Sequence, residues 1–320
     1  MIFLIFIVSF AVSFAGFPII IPRLKRAGIV GKNMNSEKQE EIAEMGGLVI
    51  AAGFGAGMIM AIFLRTFFDV FLSISLSSFL AVLSTVLIVV IIGIFDDLIS
   101  MPQIVKAIIP VVAALPLMAL KEGESIMKIP LVGWVNFGLL YPLVLIPIGI
   151  TGATNAVNML AGFNGLEVGL GLVALSSLAV IAYTNHIIPA LLILMAALGP
   201  LVAALFYNWY PAKVFIGDVG TLSIGAIIAC TVIVGNYETA GIILIIPYLI
   251  DFCIKAKNHF PGENWWGIYK EGKLYCPDNG PVGLAQWVMK ISGGIKERDL
   301  VLVLIGIEAI FGIIAILLYK

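Results

Sequence analysis

Three short polar islands interrupt an apolar chain: Asp96-Asp97-Leu98-Ile99-Ser100, the run from Asn155 to Glu167, and Phe215-Ile216-Gly217-Asp218-Val219-Gly220-Thr221. Asp96 and Asp97 supply adjacent carboxylates, and consecutive residues of a helix point about 100° apart. One can therefore face a ligand while the other holds a neighbour or a metal. Lys106 follows Asp97 by nine residues, beyond Pro102, and can sit across from the pair at the start of the next helix. An ammonium there is a point charge suited to phosphate. Asn155, Asn158 and Asn164 offer carbonyl oxygens to a divalent cation or hydrogen bonds to a nucleobase. Gly162 and Gly165 allow a flat ring to approach the backbone, and Asp218 sits between Gly217 and Gly220 with little bulk around it. Because Mg²⁺ prefers one or two protein carboxylates plus substrate phosphates, this inventory fits metal-assisted phosphoryl transfer better than a hydrolase triad.

Each signal has a plain alternative. An Asp-Asp pair is commonly a solvated helix end, Asn164-Gly165 is a turn dipeptide, and Lys106 can be a simple topogenic charge. Asp251 and Lys255 read as a surface i, i+4 pair, and Trp265 and Trp266 as interface anchors. Glu308 lies inside the last apolar run and is assigned no role. The functional reading rests on all three islands and Lys106 falling on one membrane face.

That face follows from the elements that must carry the islands. The chain has 320 residues, 61% hydrophobic and 12% charged, with a mean hydropathy of +1.13. These values predict an all-α polytopic membrane protein in a single domain. Ten apolar runs are long enough to span a bilayer, near 1–22, 46–64, 70–94, 103–120, 136–155, 165–184, 187–207, 214–235, 240–256 and 299–319. Pro142, Pro147, Pro189 and Pro200 are expected to kink the runs that hold them. The first run is read as a retained helix, because no positive segment precedes it. Cys230, Cys253 and Cys276 form no disulfide framework.

Of the 18 Lys and Arg residues, all but Arg65, Lys121, Lys128 and Lys320 fall in loops on one side. The positive-inside rule makes that side cytoplasmic, with both termini outside and all three islands facing the cytoplasm. Two excursions, 23–45 and 256–298, lie on the same side. Within the second, Glu271-Gly272 predicts a hairpin turn, and Val282–Ile291 predicts a short amphipathic helix.

The run Asn155-Ala156-Val157-Asn158-Met159-Leu160-Ala161-Gly162-Phe163-Asn164-Gly165-Leu166-Glu167 resembles the signature of the polyprenyl-phosphate N-acetylhexosamine-1-phosphate transferases. Asp96-Asp97 and Phe215-Ile216-Gly217-Asp218 match two further motifs of that family, in order and at similar intervals. Leu160-Ala161-Gly162 stands where the bacterial cell-wall branch has Thr-Asp-Gly, and is closer to the UDP-N-acetylglucosamine–dolichyl-phosphate branch of eukaryotes and archaea. The resemblance implies a reaction in which a polyprenyl or dolichyl phosphate attacks the sugar-linked phosphorus of UDP-N-acetylglucosamine and expels UMP, the first step of lipid-linked oligosaccharide synthesis. It implies Mg²⁺, with Mn²⁺ as a substitute, held by Asn158 and Asp218. Asp96, Asp97, Lys106 and Asp218 would be catalytic. Asn155, Gly162, Asn164, Glu167, Phe215 and Glu44 would contact substrate, with Gly162, Asn164 and Phe215 receiving the uridine. Its partners would be the nucleotide sugar, the lipid phosphate, the membrane and a second copy in a homodimer, with no nucleic acid. Two departures stand out. The last loop carries only Lys255, Lys257 and His259 where relatives have a basic cluster, so Lys257 and His259 are expected at the phosphate or the sugar. Glu44-Met45-Gly46-Gly47 lacks the usual preceding proline. The readings that compete are an ion-coupled carrier with Asp96, Asp97 and Asp218 as cation sites, and a sister transferase for another UDP-hexosamine.

Overall fold

In the computed structural model, residues 1–72, 74–129, 132–260 and 266–319 are described. Trp265 and Lys320, both used in the sequence reading, lie outside them. Ten helical segments among the described residues are long and apolar enough to cross a membrane. They comprise α1 (Ile2–Arg26), α2 (Gly47–Phe68) and α3 (Leu76–Ile99), then a fourth crossing split into α4 (Gln103–Ile108), α5 (Pro110–Ala113) and α6 (Leu115–Leu120). The fifth is a π turn, Tyr141–Leu145, running into α7 (Ile146–Met159); α8 (Leu166–Thr184), α9 (Ile188–Asn208), α10 (Gly217–Gly235), α11 (Glu238–Lys257) and α13 (Glu297–Leu318) complete the set.

Breaks in the helices follow from proline chemistry. Pro110 and Pro116 enter α5 and α6 in their first turn, where the missing N–H costs no internal hydrogen bond. Helix α3 begins several residues later than its hydropathy suggests, because the Ser75 hydroxyl caps the Ser78 N–H at 3.3 Å. It also runs on through Asp96 and Asp97 to a left-handed Ser100, which puts both carboxylates in its last turn.

Helix α10 is the axis of the bundle. Its most apolar window is 83% buried, against 22% for α1. It packs against α2, α3, α7, α8, α9 and α11. Two glycines bring backbone together along it, one beside Asp218 and one about two turns further on. A Cβ on Gly93 of α3 would stand 2.6 Å from the Val219 Cα, and one on Gly225 of α10 would stand 2.6 Å from the Thr154 Cα of α7. Small residues of this kind let membrane helices approach closely, where dispersion contacts rather than water expulsion hold them.

Three two-stranded hairpins lie outside the spans. In the first loop β1 (Val30–Lys32) pairs with β2 (Glu41–Ala43), Lys32 opposite Glu41. This hairpin is stitched to the strand-like entry of α10: the Phe215 N–H donates to Ala43 O at 2.8 Å, and the Gly46 N–H donates to Phe215 O at 2.9 Å. At the opposite end β3 (Ile126–Ile129) pairs with β4 (Gly133–Asn136). Sequence reading starts the fifth helix at 136, the last residue of β4, five residues before the π turn at Tyr141, and assigns no strand to the loop before it. The expected Glu271-Gly272 turn joins β5 (Ile268–Lys270) to β6 (Lys273–Tyr275). Both turn residues have positive φ, 46° and 78°, as a two-residue turn matched to strand twist requires.

The short amphipathic helix is α12 (Leu284–Ser292). The surface pair expected of Asp251 and Lys255 is corrected: Asp251 is 1% exposed. Its carboxylate pairs with Lys255 at 2.8 Å and accepts the Leu284 N–H at 2.7 Å, holding the start of α12 against α11. Lys255 also donates to the Met159 carbonyl. Glu308 is fully buried, with neither carboxylate oxygen hydrogen-bonded among the described residues.

Candidate active site

Four elements end at one point. The last turn of α3 carries Asp96 and Asp97, the start of α4 carries Lys106, the end of α7 carries Asn158, and the first turn of α10 carries Asp218. Asp97 spends both oxygens on backbone: Oδ1 accepts the Asp218 N–H at 2.8 Å and Oδ2 the Val219 N–H at 3.3 Å. An anion over two unpaired N–H groups and the positive end of the α10 dipole is a helix cap supplied from another helix. Gly217, with φ of 65°, sets the turn that aims those N–H groups. Asp96 faces the other way. Its Oδ1 accepts the Met101 N–H at 2.9 Å, and its Oδ2 lies 2.5 Å from Lys106 Nζ.

The Lys106 ammonium bridges Asp96 and Asp218. Asp218 is thereby divided: Oδ2 takes Lys106, and Oδ1 accepts Asn158 Nδ2 at 2.6 Å. Asn158 also donates to Thr221 Oγ1 at 2.8 Å. Glu44, at the end of the first-loop hairpin, completes the ring. Burial pushes its carboxyl above the ordinary carboxylate value, and the charge of Asp218 adds to the rise. Four carboxylates thus line one small pocket, and the Lys106 ammonium among them pairs with two, Asp96 and Asp218.

A polar pocket of about 340 Å³ over this cluster shares Glu44, Gln103, Lys106 and Asp218 with a cavity of about 930 Å³. The larger cavity has Lys106, Asn158 and Asp218 on its polar wall, Gly162 and Phe215 on its loop wall, and Ile104, Leu249 and Phe252 on an apolar wall. Among the described residues no three His, Cys, Asp or Glu side chains converge as a ready-made metal cage. The reason is visible in the bonding, since Asp97 is consumed by the α10 cap and Asp96 by Met101 and Lys106. Asp218 and Asn158 remain side by side where an ammonium already sits between carboxylates. That donor set fits a hard divalent cation which takes its other oxygens from substrate.

The signature loop is anchored from several sides. Asn155 Nδ2 donates to Ala107 O at 3.1 Å, tying α7 to the fourth crossing. Gly162, with φ of 102°, donates its N–H to Glu167 Oε1 at 2.5 Å. Asn155, Gly162, Glu167, Phe215 and Glu44 line the larger cavity. The Asn164 side chain does not: it is buried, with Nδ2 directed at Glu297 Oε2 at 3.2 Å. Lys257 and His259 are also absent from the wall, which takes Lys255, Phe260 and Trp266 instead. Sequence reading missed Asn35, Asn208, Lys255 and Glu297. Only Lys255 carried a local signal, in its i, i+4 spacing from Asp251 and its place in the thin basic stretch, and neither gave a hint of burial.

The glycosyl transferase family 4 profile matches residues 79–236, from α3 to the end of α10, and so includes Asp96, Asp97, Lys106, Asn158 and Asp218. A Saccharolobus solfataricus protein, provisionally named UDP-N-acetylglucosamine–dolichyl-phosphate N-acetylglucosaminephosphotransferase, is 39% identical over 314 residues, covering 98% of this chain and 95% of its own length. The chain belongs to glycosyl transferase family 4.

Within the family, a Bacillus subtilis protein, provisionally named undecaprenyl-phosphate N-acetylglucosaminyl 1-phosphate transferase, is 29% identical over 257 residues, 76% of this chain and 67% of its own. The UDP-N-acetylglucosamine–dolichyl-phosphate N-acetylglucosaminephosphotransferase of Dictyostelium discoideum is 27% identical over 205 residues, 53% of this chain and 50% of its own. Membership makes the chain a membrane-embedded enzyme that transfers a sugar phosphate, and removes the carrier reading. Family 4 transferases are generally divalent-metal dependent.

Proposed function

We propose that this chain transfers N-acetylglucosamine 1-phosphate from UDP-N-acetylglucosamine to dolichyl phosphate, or a similar polyprenyl phosphate, on the cytoplasmic face of the membrane, with the whole chain acting as one unit. The observation that carries the reading is the Lys106 ammonium between Asp96 and Asp218, on the wall of a cavity whose other walls are a glycine-bearing loop and an apolar face. Phosphate, nucleotide and lipid each find a matching surface around one point.

In the reaction a phosphate oxygen of the lipid bonds to the sugar-linked phosphorus, the bond from that phosphorus to the bridging oxygen breaks, and the bridging oxygen leaves on UMP. The lipid phosphate has a second pKa near about 6 and is mostly ionised before it attacks, so no obligatory base is needed. Lys106 would bind and orient phosphate oxygens, with Asp96 fixing the ammonium. Asp97 would hold the start of α10 so that Asp218 stays aimed at the pyrophosphate. Asp218 would hold Mg²⁺ together with Asn158, whose amide nitrogen now faces Asp218 and whose oxygen is presented by turning the carboxamide over. A cation held there would supply neutralisation of charge on the pyrophosphate. Gly162 and Phe215 would receive the uridine, and Ile104, Leu249 and Phe252 the first isoprenes.

The test is purified protein with radiolabelled UDP-N-acetylglucosamine, Mg²⁺ and dolichyl phosphate, with chromatography of both phases. Labelled organic-soluble lipid and free UMP are expected. UDP in the aqueous phase would mean simple glycosyl transfer, and no lipid product with any polyprenyl phosphate would refute the reading. Orientation is supported by the Lys and Arg of the loops at the site end. Cysteines introduced as Ser36→Cys and Glu271→Cys should label from the cytoplasm and Glu124→Cys from outside; the reverse pattern would overturn it.

A further inference from the structure

Glu297 opens the last spanning helix, far from the motifs that define the site. A carboxylate in a first helical turn usually lies at the surface, facing solvent and the positive end of the dipole. Glu297 instead is 5% exposed and reaches two segments remote in sequence. Its Oε1 accepts the Asn164 N–H at 2.8 Å and Asn35 Nδ2 at 3.0 Å, and its Oε2 accepts Asn164 Nδ2 at 3.2 Å. Asn35 and Asn164 are 6% and 1% exposed. Burying a carboxylate is costly unless donors surround it, and here amide N–H groups of Asn35 and Asn164 do so.

The network ends on the cavity wall. Asn35 Nδ2 also donates to the Gly162 carbonyl at 3.0 Å, while the Gly162 N–H is taken by Glu167. The two peptide groups flanking Gly162 are thus pinned from opposite sides, at a backbone angle that favours glycine. Gly162 lines the cavity and Asn164 does not, so Asn164 influences the wall only through Glu297 and the loop backbone.

We infer that Glu297, with Asn35, is a positioning residue for the nucleotide-sugar donor: it clamps the first loop to the signature loop and fixes the Gly162 wall. The inference rests on the functional reading above and adds a separation of roles, since the clamp bears on the donor and leaves the lipid acceptor untouched. It also explains a loose end. The Asn164 Oδ1 is buried without a hydrogen bond, because two donors of the same residue are committed to the carboxylate. A glutamine at position 297 would keep Oε1 for the Asn164 N–H and Asn35. Its Nε2 would meet Asn164 Oδ1 once that carboxamide turned over.

The experiment compares Glu297→Ala, Glu297→Gln, Asn164→Asp and the Glu297→Gln/Asn164→Asp pair. It measures UMP affinity by calorimetry, KM for each substrate, kcat, and hydrogen exchange of residues 160–165. Glu297→Ala should weaken UMP and raise KM for the nucleotide sugar by about tenfold or more, with kcat and the lipid KM within about twofold. The 160–165 amides should lose protection. Glu297→Gln should restore KM to within about threefold. Asn164→Asp, which sets carboxylate against carboxylate, should resemble Glu297→Ala, and the pair should recover because the single charge has only changed sides. Equal rises in both KM values, unchanged UMP affinity in Glu297→Ala, or failure of the pair to recover would overturn the clamp. Should Glu297→Ala not fold, Glu297→Gln and the pair still decide. If the wild-type chain binds no UMP, the functional reading falls. In that case loss of loop protection in Glu297→Ala and its return in Glu297→Gln would uphold the clamp, while unchanged protection would refute it.

Discussion

Asp97→Asn separates a structural from a chemical role for the second carboxylate of the Asp-Asp pair. The wild-type side chain accepts two N–H groups of the first α10 turn, one of them from Asp218 itself. A carboxamide keeps one acceptor and turns an NH₂ group toward the other N–H. Loss of one charge-assisted hydrogen bond costs about 1.5–3 kcal/mol, and loss of the anion at the helix N-terminus costs about 0.3–1 kcal/mol more. Together these amount to about 2–4 kcal/mol, which for a chain of this length lowers Tm by about 3–6 °C. The freed α10 start displaces Asp218, and a misplacement of about 1 Å is enough to cost about 10²-fold in kcat. Unfolding in detergent by intrinsic fluorescence gives the stability, and UMP release across a pH series gives the rate. Expected are a lower Tm and a lower kcat with the pH profile unchanged in shape. A variant with wild-type Tm, lost turnover and an altered pH profile would show that Asp97 handles a proton, and the capping argument would fail.

Further outcomes follow from the same geometry. Lys106→Ala removes the charge-assisted contact to phosphate, worth about 2–3 kcal/mol, and should lower kcat/KM by about 30–150-fold. Lys25→Ala should leave it near wild type, and equal effects would mean that only the general basic field matters. For Glu44, burial and then Asp218 raise the folded-state value. Below the unfolded-state value both states are protonated and no cost arises; the cost of ionising the folded state grows above it and is complete above the folded value. Glu44→Gln should therefore raise Tm at about pH 8 and make no difference at about pH 3.5, where carboxylates are largely protonated; a gain at acid pH alone would contradict the sign. Gly225→Ala puts a Cβ 2.6 Å from the Thr154 Cα. It should cost about 1–3 kcal/mol and raise the divalent-ion requirement as Asn158 parts from Asp218. Gly149→Ala on α7, with open space around its Cβ, serves as the control, and matching behaviour of the two would refute the close-approach argument.

The sequence by itself determined the bilayer class, the ten spans and the meeting of three polar islands at one end of the bundle. Those features depend on local quantities: run length, hydropathy and the end of each span at which an island falls. The Glu271-Gly272 hairpin was legible for the same reason, since its turn chemistry is local. Tertiary structure decided which neighbour each side chain meets. Asp96 and Asp97 are indistinguishable in sequence, yet α10, drawn in over Gly93, claims both oxygens of Asp97 and leaves Asp96 to Lys106. Asn164 sits within the signature but turns to Glu297, because a buried carboxylate needs donors and its backbone N–H and carboxamide are within reach. Asp251 and Lys255 resemble a solvent-facing pair until α12 folds over them. The β3–β4 hairpin escaped notice because four-residue strands in a loop between two spans carry little local pattern, and only their pairing sets them apart. Partners chosen across more than a hundred residues leave no periodic trace in the chain, so the roles within the site emerge only from its packing.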